Sequence, residues 1–148
     1  IFGDKWISSK KNGDPQRRYK IAQAVSKDGL HWERDSEYII SERDYNECQA
    51  LPTVVLFRNK YHMAFCYRDM FNFRDGGNGS YKLGYAYSTD LGNWIRDDLF
   101  LSSISDRTSW DAFMQCYPNL FVYNDSLYCA YNGNYFGKNG FGLAKYVE

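Results

Sequence analysis

Apolar and polar positions alternate along most of this 148-residue chain, in two patterns that interleave and each recur. In "YKIAQAVS" (19–26) and "YKLGYAYS" (81–88), Ala22 and Ala24, or Gly84 and Ala86, share one side of a period of two. That is the period of a strand. Asp28-Gly29 predicts a tight turn after the first, and Leu91-Gly92 predicts the same turn with its glycine one place later. Trp32 and Trp94 then open short outgoing strands that end in charge. The small Ala/Gly face predicts a close approach of neighbouring sheets.

The two copies are a true repeat. Tyr19–Ile40 aligned without gaps on Tyr81–Ser102 matches in eight of 22 positions, among them Ser, Asp, Trp and Arg of "SKDGLHWER" and "STDLGNWIR". A second pattern lies between them. "PTVVLFRNKYHMAFCY" (52–67) and "PNLFVYNDSLYCAYNG" (118–133) each read Pro, apolar strand, two-residue polar turn (Arg58-Asn59, Asn124-Asp125), aromatic-rich strand.

Joined, the patterns give four antiparallel strands per ~60 residues, the signature of a β-propeller blade. Pro52–Arg58, Tyr61–Tyr67, Tyr81–Tyr87 and Trp94–Arg96 are predicted to form one sheet in that order. "IFGDKWISS" reads as the tail of an aromatic strand and "GFGLAKYVE" as an Ala/Gly strand whose Trp hairpin is missing. Residues 1–40 therefore read as the end of one blade, 41–102 as a complete blade and 103–148 as the start of the next. The three make a single partial, all-β domain of about two to two and a half blades, with no helix beyond a turn or two. Propellers close with about four to eight blades. Uncovered blade faces rich in Val, Phe, Tyr and Ala predict further blades, a partner chain or self-association.

Composition narrows the partners. Lys+Arg and Asp+Glu are equal at 18 each, which argues against a broad electrostatic grip on nucleic acid or an anionic membrane surface. No apolar run approaches the ~18 residues of a membrane span. No signal-peptide pattern is visible, and the compartment stays open. Aromatics make up 19 % of the chain, which favours strands and suits stacking on sugar rings. For any single ring, packing between sheets is the simpler role. Cys48, Cys66, Cys116 and Cys129 form no CxxC pair, so a zinc site is not expected and buried thiols are. Nothing in the chain asks for a metal or a cofactor.

The hairpin "YKLGYAYSTD", the loop "NECQALP", the strand "KYHMAFCYRD" and "YNGNYFGKNGFGLA" together resemble the five-bladed propeller glycosidases of the arabinofuranosidase/xylosidase and invertase group. The resemblance implies a partial five-bladed β-propeller of glycoside-hydrolase type, acting on an oligo- or polysaccharide by carboxylate acid/base chemistry. Two carboxyl groups are needed because the leaving oxygen must be protonated while the anomeric carbon is attacked from the opposite face. The acid needs a raised pKa, from burial or a neighbouring carboxylate. The base of such enzymes normally comes from the first blade, which is not expected within this chain.

Glu47 before Cys48 resembles the Glu-Cys acid motif of the invertase-like enzymes, and its place ahead of the Pro52 strand should open it to the central funnel. Without the resemblance it is a solvated glutamate in "SERDYNE". Arg68 and Asp69 resemble the Arg-Asp pair that holds sugar hydroxyls. In the family that pair precedes Glu-Cys; here it follows, and a strand-end ion pair is the alternative. Asp111, before the Pro118 strand, is the second catalytic candidate, although the residue opposite Glu47 in the ungapped frame is Phe113. Trp110 and Phe113 could form a sugar-stacking wall. Asn132 and Asn134 belong to a glycine-rich stretch, 132–140, expected to be a wide hairpin at the funnel rim. His62 is expected to be a packing histidine and His31 a surface one. The alternative function is a non-catalytic propeller module that binds glycan or protein.

Overall fold

The computed structural model describes residues 2–8, 15–74, 76–104 and 109–147. The described elements are almost entirely antiparallel β. Eleven strands run in order: β1 Phe2–Ser8, β2 Pro15–Lys20, β3 Ala22–Val25, β4 Glu33–Tyr38, β5 Glu47–Phe57, β6 Lys60–Asp69, β7 Lys82–Ser88, β8 Ile95–Arg96, β9 Cys116–Tyr123, β10 Ser126–Asn132 and β11 Phe141–Lys145. A 3-10 turn spans Asp98–Ile104. Among the described residues no helix is long and apolar enough to cross a membrane.

The four predicted strands form one sheet in sequential order, β5-β6-β7-β8, with Met63 facing Ala86 across β6 and β7. The next sheet, β9-β10-β11, repeats its first three strands. Ahead of them β1 pairs with β2 and β3 with β4. There the strand expected over Tyr19–Ser26 is interrupted at Ile21, whose side chain is buried against the next blade.

Each repeated turn has one physical origin. In "SKDG" the Ser26 hydroxyl accepts the Gly29 N–H at 2.8 Å, and Asp28 Oδ1 accepts those of Leu30 and His31 at 2.8 Å. In "STDL" Ser88 accepts the Leu91 N–H at 2.9 Å, and Asp90 Oδ1 those of Gly92 and Asn93 at 2.9 and 2.8 Å. Trp32 and Trp94 close the two turns on the carbonyls of Gly29 and Leu91. These N–H bonds hold both the Asp28 and Asp90 carboxyls far below the usual carboxylate range. The shifted glycine, however, does not do the same job. Gly29 has φ 75°, and its counterpart in the second turn is Leu91 at φ 65°, so a leucine occupies the left-handed position while Gly92 does not.

The Arg58-Asn59 and Asn124-Asp125 turns have positive φ at both residues, the two-residue geometry whose twist matches that of the flanking strands. The two prolines mark a bulge. Ala50 pairs with Cys66 and Thr53 with Ala64, leaving Leu51-Pro52 opposite one residue; Tyr117-Pro118 repeats this between Cys116 and Asn119. Leu51 and Tyr117 both take left-handed φ, 53° and 57°.

Strand β6 is buried on both faces. Met63 and Phe65 pack with Ile21, Ile40 and Ala86, towards the preceding blade. Ala64 joins Tyr85, Leu83 and Phe57 against Leu120, Leu127, Cys129 and Tyr131 of the following one. The small residue at Gly84 serves a neighbour on the same sheet. A Cβ there would lie 2.5 Å from the Phe65 ring, which covers Gly84 from the adjacent strand. His62 is a packing histidine, 2.6 Å from the Tyr85 hydroxyl and surrounded by the rings of Phe57, Tyr85 and Phe100. His31 is exposed. All four cysteines are free and buried. Burial pushes Cys116 up to about 12 and Cys129 to about 11, and Cys66 higher still.

Candidate functional site

Glu47 begins β5 and pairs directly with Asp69 at the end of β6. Opposed residues of an antiparallel pair share a face of the sheet, so two carboxylates sit side by side at one end of the complete blade. They line a cleft of about 490 Å³ with Arg68, Arg43, Tyr67, Ser80 and Lys82. Like charges placed directly opposite one another destabilise a sheet.

The two acids have different surroundings. Glu47 is only 3 % exposed and is saturated with donors. Arg96 binds both its oxygens, at 2.7 and 3.1 Å; Gln49 Nε2 donates to Oε1 at 2.8 Å and the Arg43 N–H to Oε2 at 3.3 Å. Burial works against the Arg96 charge, but its bonds to Glu47 and Asp98 outweigh that and raise its pKa. Asp69, half-buried, accepts only the Phe71 N–H at 2.8 Å, and no cation pairs with it among the described residues. Arg68 is not its ion-pair partner. Successive strand residues point to opposite faces. The Arg68 guanidinium lies 3.6 Å over the Phe73 ring and donates to the Tyr81 hydroxyl at 3.1 Å and the Asp69 carbonyl at 2.8 Å.

Two buried side-chain atoms among the described residues lack a hydrogen bond, Ser80 Oγ and Gln49 Oε1. Ser80 lines the cleft, and Gln49 is bonded to Glu47. Unsatisfied buried polar atoms are rare and call for an explanation such as a ligand or water.

The remaining sequence candidates lie in the loop before β9, at the end of β10 and in the turn after it, outside the cleft lining. Asp111 is buried and accepts the Tyr131 hydroxyl at 2.8 Å. Trp110 stacks on Tyr131 and covers Gly133 and Gly142, where a Cβ would come within 2.2 and 2.8 Å of its ring. Its face is thus used in packing. Phe113 is 53 % exposed, and its carbonyl accepts from Lys82, a cleft residue. Asn134 is a buried clamp: its Oδ1 accepts the Phe113 and Met114 N–H groups at 2.9 Å each, and its Nδ2 donates to the Ser109 carbonyl. Asn132 ends β10 and packs against Gly137 in the wide turn that leads to β11. No group of three or more His, Cys, Asp or Glu is placed to hold a metal among the described residues.

The two side chains that bind the Glu47 carboxylate, Gln49 and Arg96, were not singled out from the sequence. Gln49 has a counterpart in Gln115, also three places before its proline and also buried, and that spacing was a readable signal. Arg96 had none, because the repeat places Arg34 at the equivalent position, and Arg34 is exposed.

No protein-family model matches the chain. Proteins described as uncharacterized, from two strains of Mycobacterium tuberculosis, are each 31 % identical to it over 135 residues, covering 89 % of this chain and 42 % of theirs. The chain thus spans less than half the length of the curated relatives it matches. Among solved structures it is similar to a protein described as a glycoside hydrolase (TM-score 0.62, 17 % identity, 97 % of this chain and 39 % of that one). It is similar also to the Bombyx mori GH32 β-fructofuranosidase (0.58, 16 %, 96 % and 29 %). A third is a family 117 glycoside hydrolase of the marine bacterium Zobellia galactanivorans (0.53, 12 %, 82 % and 37 %). The chain has the fold of part of the β-propeller that these solved structures share.

Proposed function

We propose that the chain is part of a five-bladed, carbohydrate-active propeller protein, a glycoside hydrolase when whole, and that the cleft of the complete blade holds the sugar at the bond to be cut. The observation that carries this reading is the pair of directly opposed carboxylates, Glu47 and Asp69, over one cleft. Asp69, unpaired with any cation among the described residues, grips sugar hydroxyls, as the resemblance implies, and the unsatisfied Ser80 hydroxyl supplies a further polar contact. Glu47 is the proton donor. Arg96 also holds Asp98, at 2.9 Å, so it can release Glu47 without losing its own neutralising partner. Asp111, bonded to Tyr131, shapes its loop and takes no part in bond cleavage. The base comes from a blade outside this chain.

The test is hydrolysis by the intact protein. Glu47→Gln should lower kcat about 10²–10⁴-fold, the range of general-acid catalysis, and Asp69→Asn should raise KM. Glu47→Gln near wild-type activity would remove the acid role. Glycan binding without any hydrolysis would favour the second reading, a non-catalytic glycan-binding propeller, which the saturated state of Glu47 supports.

A further inference from the structure

Tyr117 and Phe136 lie one step away from the cleft. Their rings are nearly parallel, 26° apart with centroids 6.1 Å from each other, and they are 40 % and 38 % exposed. The Tyr81 ring stands edge-on to both, at 6.2 and 5.8 Å, and its hydroxyl accepts from Arg68 in the cleft wall. The two rings are therefore continuous with the site through a single side chain.

The backbone beneath them is strained. Tyr117 and Phe136 have φ 57° and 60°, and Tyr135 next to Phe136 has 55°. Aromatic residues rarely adopt this region, and such outliers cluster at ligand sites. The fold does not itself require an aromatic here. The same bulge in the preceding blade, with the same left-handed residue before its proline, carries Leu51. A ring exposed at this place has the chemistry to meet a sugar. One face of a saccharide ring is a layer of C–H groups with partial positive charge, which sits well on the negative face of an aromatic ring.

We propose that Tyr117 and Phe136 form a second sugar subsite, a stacking shelf for the ring next to the one held in the cleft, so that the ligand is a glycan chain and not a single sugar. The shelf rests on the carbohydrate reading above. It differs from the wall expected at Trp110 and Phe113, because the Trp110 face is spent on Tyr131 and two glycines.

The test uses the intact protein on a microarray of plant and microbial oligosaccharides graded by chain length, followed by calorimetry on the glycans that bind. Tyr117→Leu and Phe136→Leu should each weaken binding of chains of two or more sugars roughly twofold to tenfold, the range of an aromatic stacking contact. Neither should change single-sugar binding. Tyr117→Phe and Phe136→Tyr should keep full affinity, and the melting temperature of Tyr117→Leu should stay level, since leucine occupies the same bulge at Leu51. Asp69→Asn should weaken single sugars and chains alike. Wild-type affinity of both leucine variants for long chains overturns the shelf, as does a wild-type protein that gains nothing from a second sugar; either leaves the cleft reading standing. A wild-type protein that binds none of the glycans overturns the carbohydrate reading, and the shelf with it.

Discussion

Arg96 and Glu47 lie on the two opposite edge strands of one four-stranded sheet, yet they form a bidentate ion pair at 2.7 and 3.1 Å. The guanidinium reaches across the sheet over the rings of Phe65 and Tyr67, at 5.2 and 5.1 Å, so apolar surface shields the pair from water. Removing one partner from a buried pair leaves an uncompensated charge. Arg96→Met should therefore cost about 3–5 kcal/mol, read by urea unfolding. Arg96→Met with Glu47→Gln should cost much less than the two single losses added together. A strictly additive double variant would show that the pair is not coupled.

The two repeated turns make a reciprocal prediction. Leu91 sits at φ 65° where its counterpart is Gly29 at φ 75°. Left-handed backbone costs a non-glycine residue about 1–2 kcal/mol, part of it offset by the extra chain entropy glycine loses on folding. Leu91→Gly should raise stability by up to about 1 kcal/mol, and Gly29→Leu should lower it. Gly92→Ala should be tolerated, because only Asp90 lies near the added carbon, at 3.7 Å. A melting temperature that falls in Leu91→Gly would contradict the assignment.

Ser26 and Ser88 accept the same N–H bonds in their turns, but only Ser88 is buried. Ser88→Ala should cost about 1–3 kcal/mol, the penalty for stranding buried donors. Ser26→Ala should cost less, because water can replace the hydroxyl. Equal losses in the two variants would count against burial as the cause.

His62 links stability to pH. Burial holds its pKa below the usual 6.5, partly countered by a backbone bond at Phe57, with Lys60 lowering it further. Between the depressed native value and 6.5 the unfolded chain binds a proton that the folded chain does not. The His62 contribution is therefore fully present above 6.5 and declines as pH falls towards the native value. Of the groups that act on it, Tyr85, Phe57 and Phe100 are uncharged, and the Lys60 charge does not change in that window. Melting curves from pH 7.5 to 5 should slope downward in the wild type and more gently in His62→Gln. Parallel slopes would remove His62 as the source.

Much of the fold was legible because it depends on neighbours in the chain. The Ser-x-Asp box carries its own hydrogen bonds within four residues, so two copies announce two equal turns. The prolines at 52 and 118 mark two equal bulges, because a residue without an N–H is excluded from a regular ladder. The cleft was legible only in part. Glu47, Arg68 and Asp69 were found through a resemblance, and their meeting follows from the β5–β6 register.

Strand order and the places of the turns are thus properties of this sequence alone, since each rests on contacts between residues close in the chain. Tertiary structure decided which copy of a repeated residue matters. Arg34 and Arg96 hold the same place in the repeat, yet one faces solvent and the other neutralises Glu47. Lys20 and Lys82 are another such pair, the first buried against Glu42 and the second lining the cleft. Gln49 and Gln115 diverge likewise, the first donating to Glu47 and the second to the Asp111 carbonyl. Burial and partners depend on which blade lies alongside, and no local pattern along the chain encodes that.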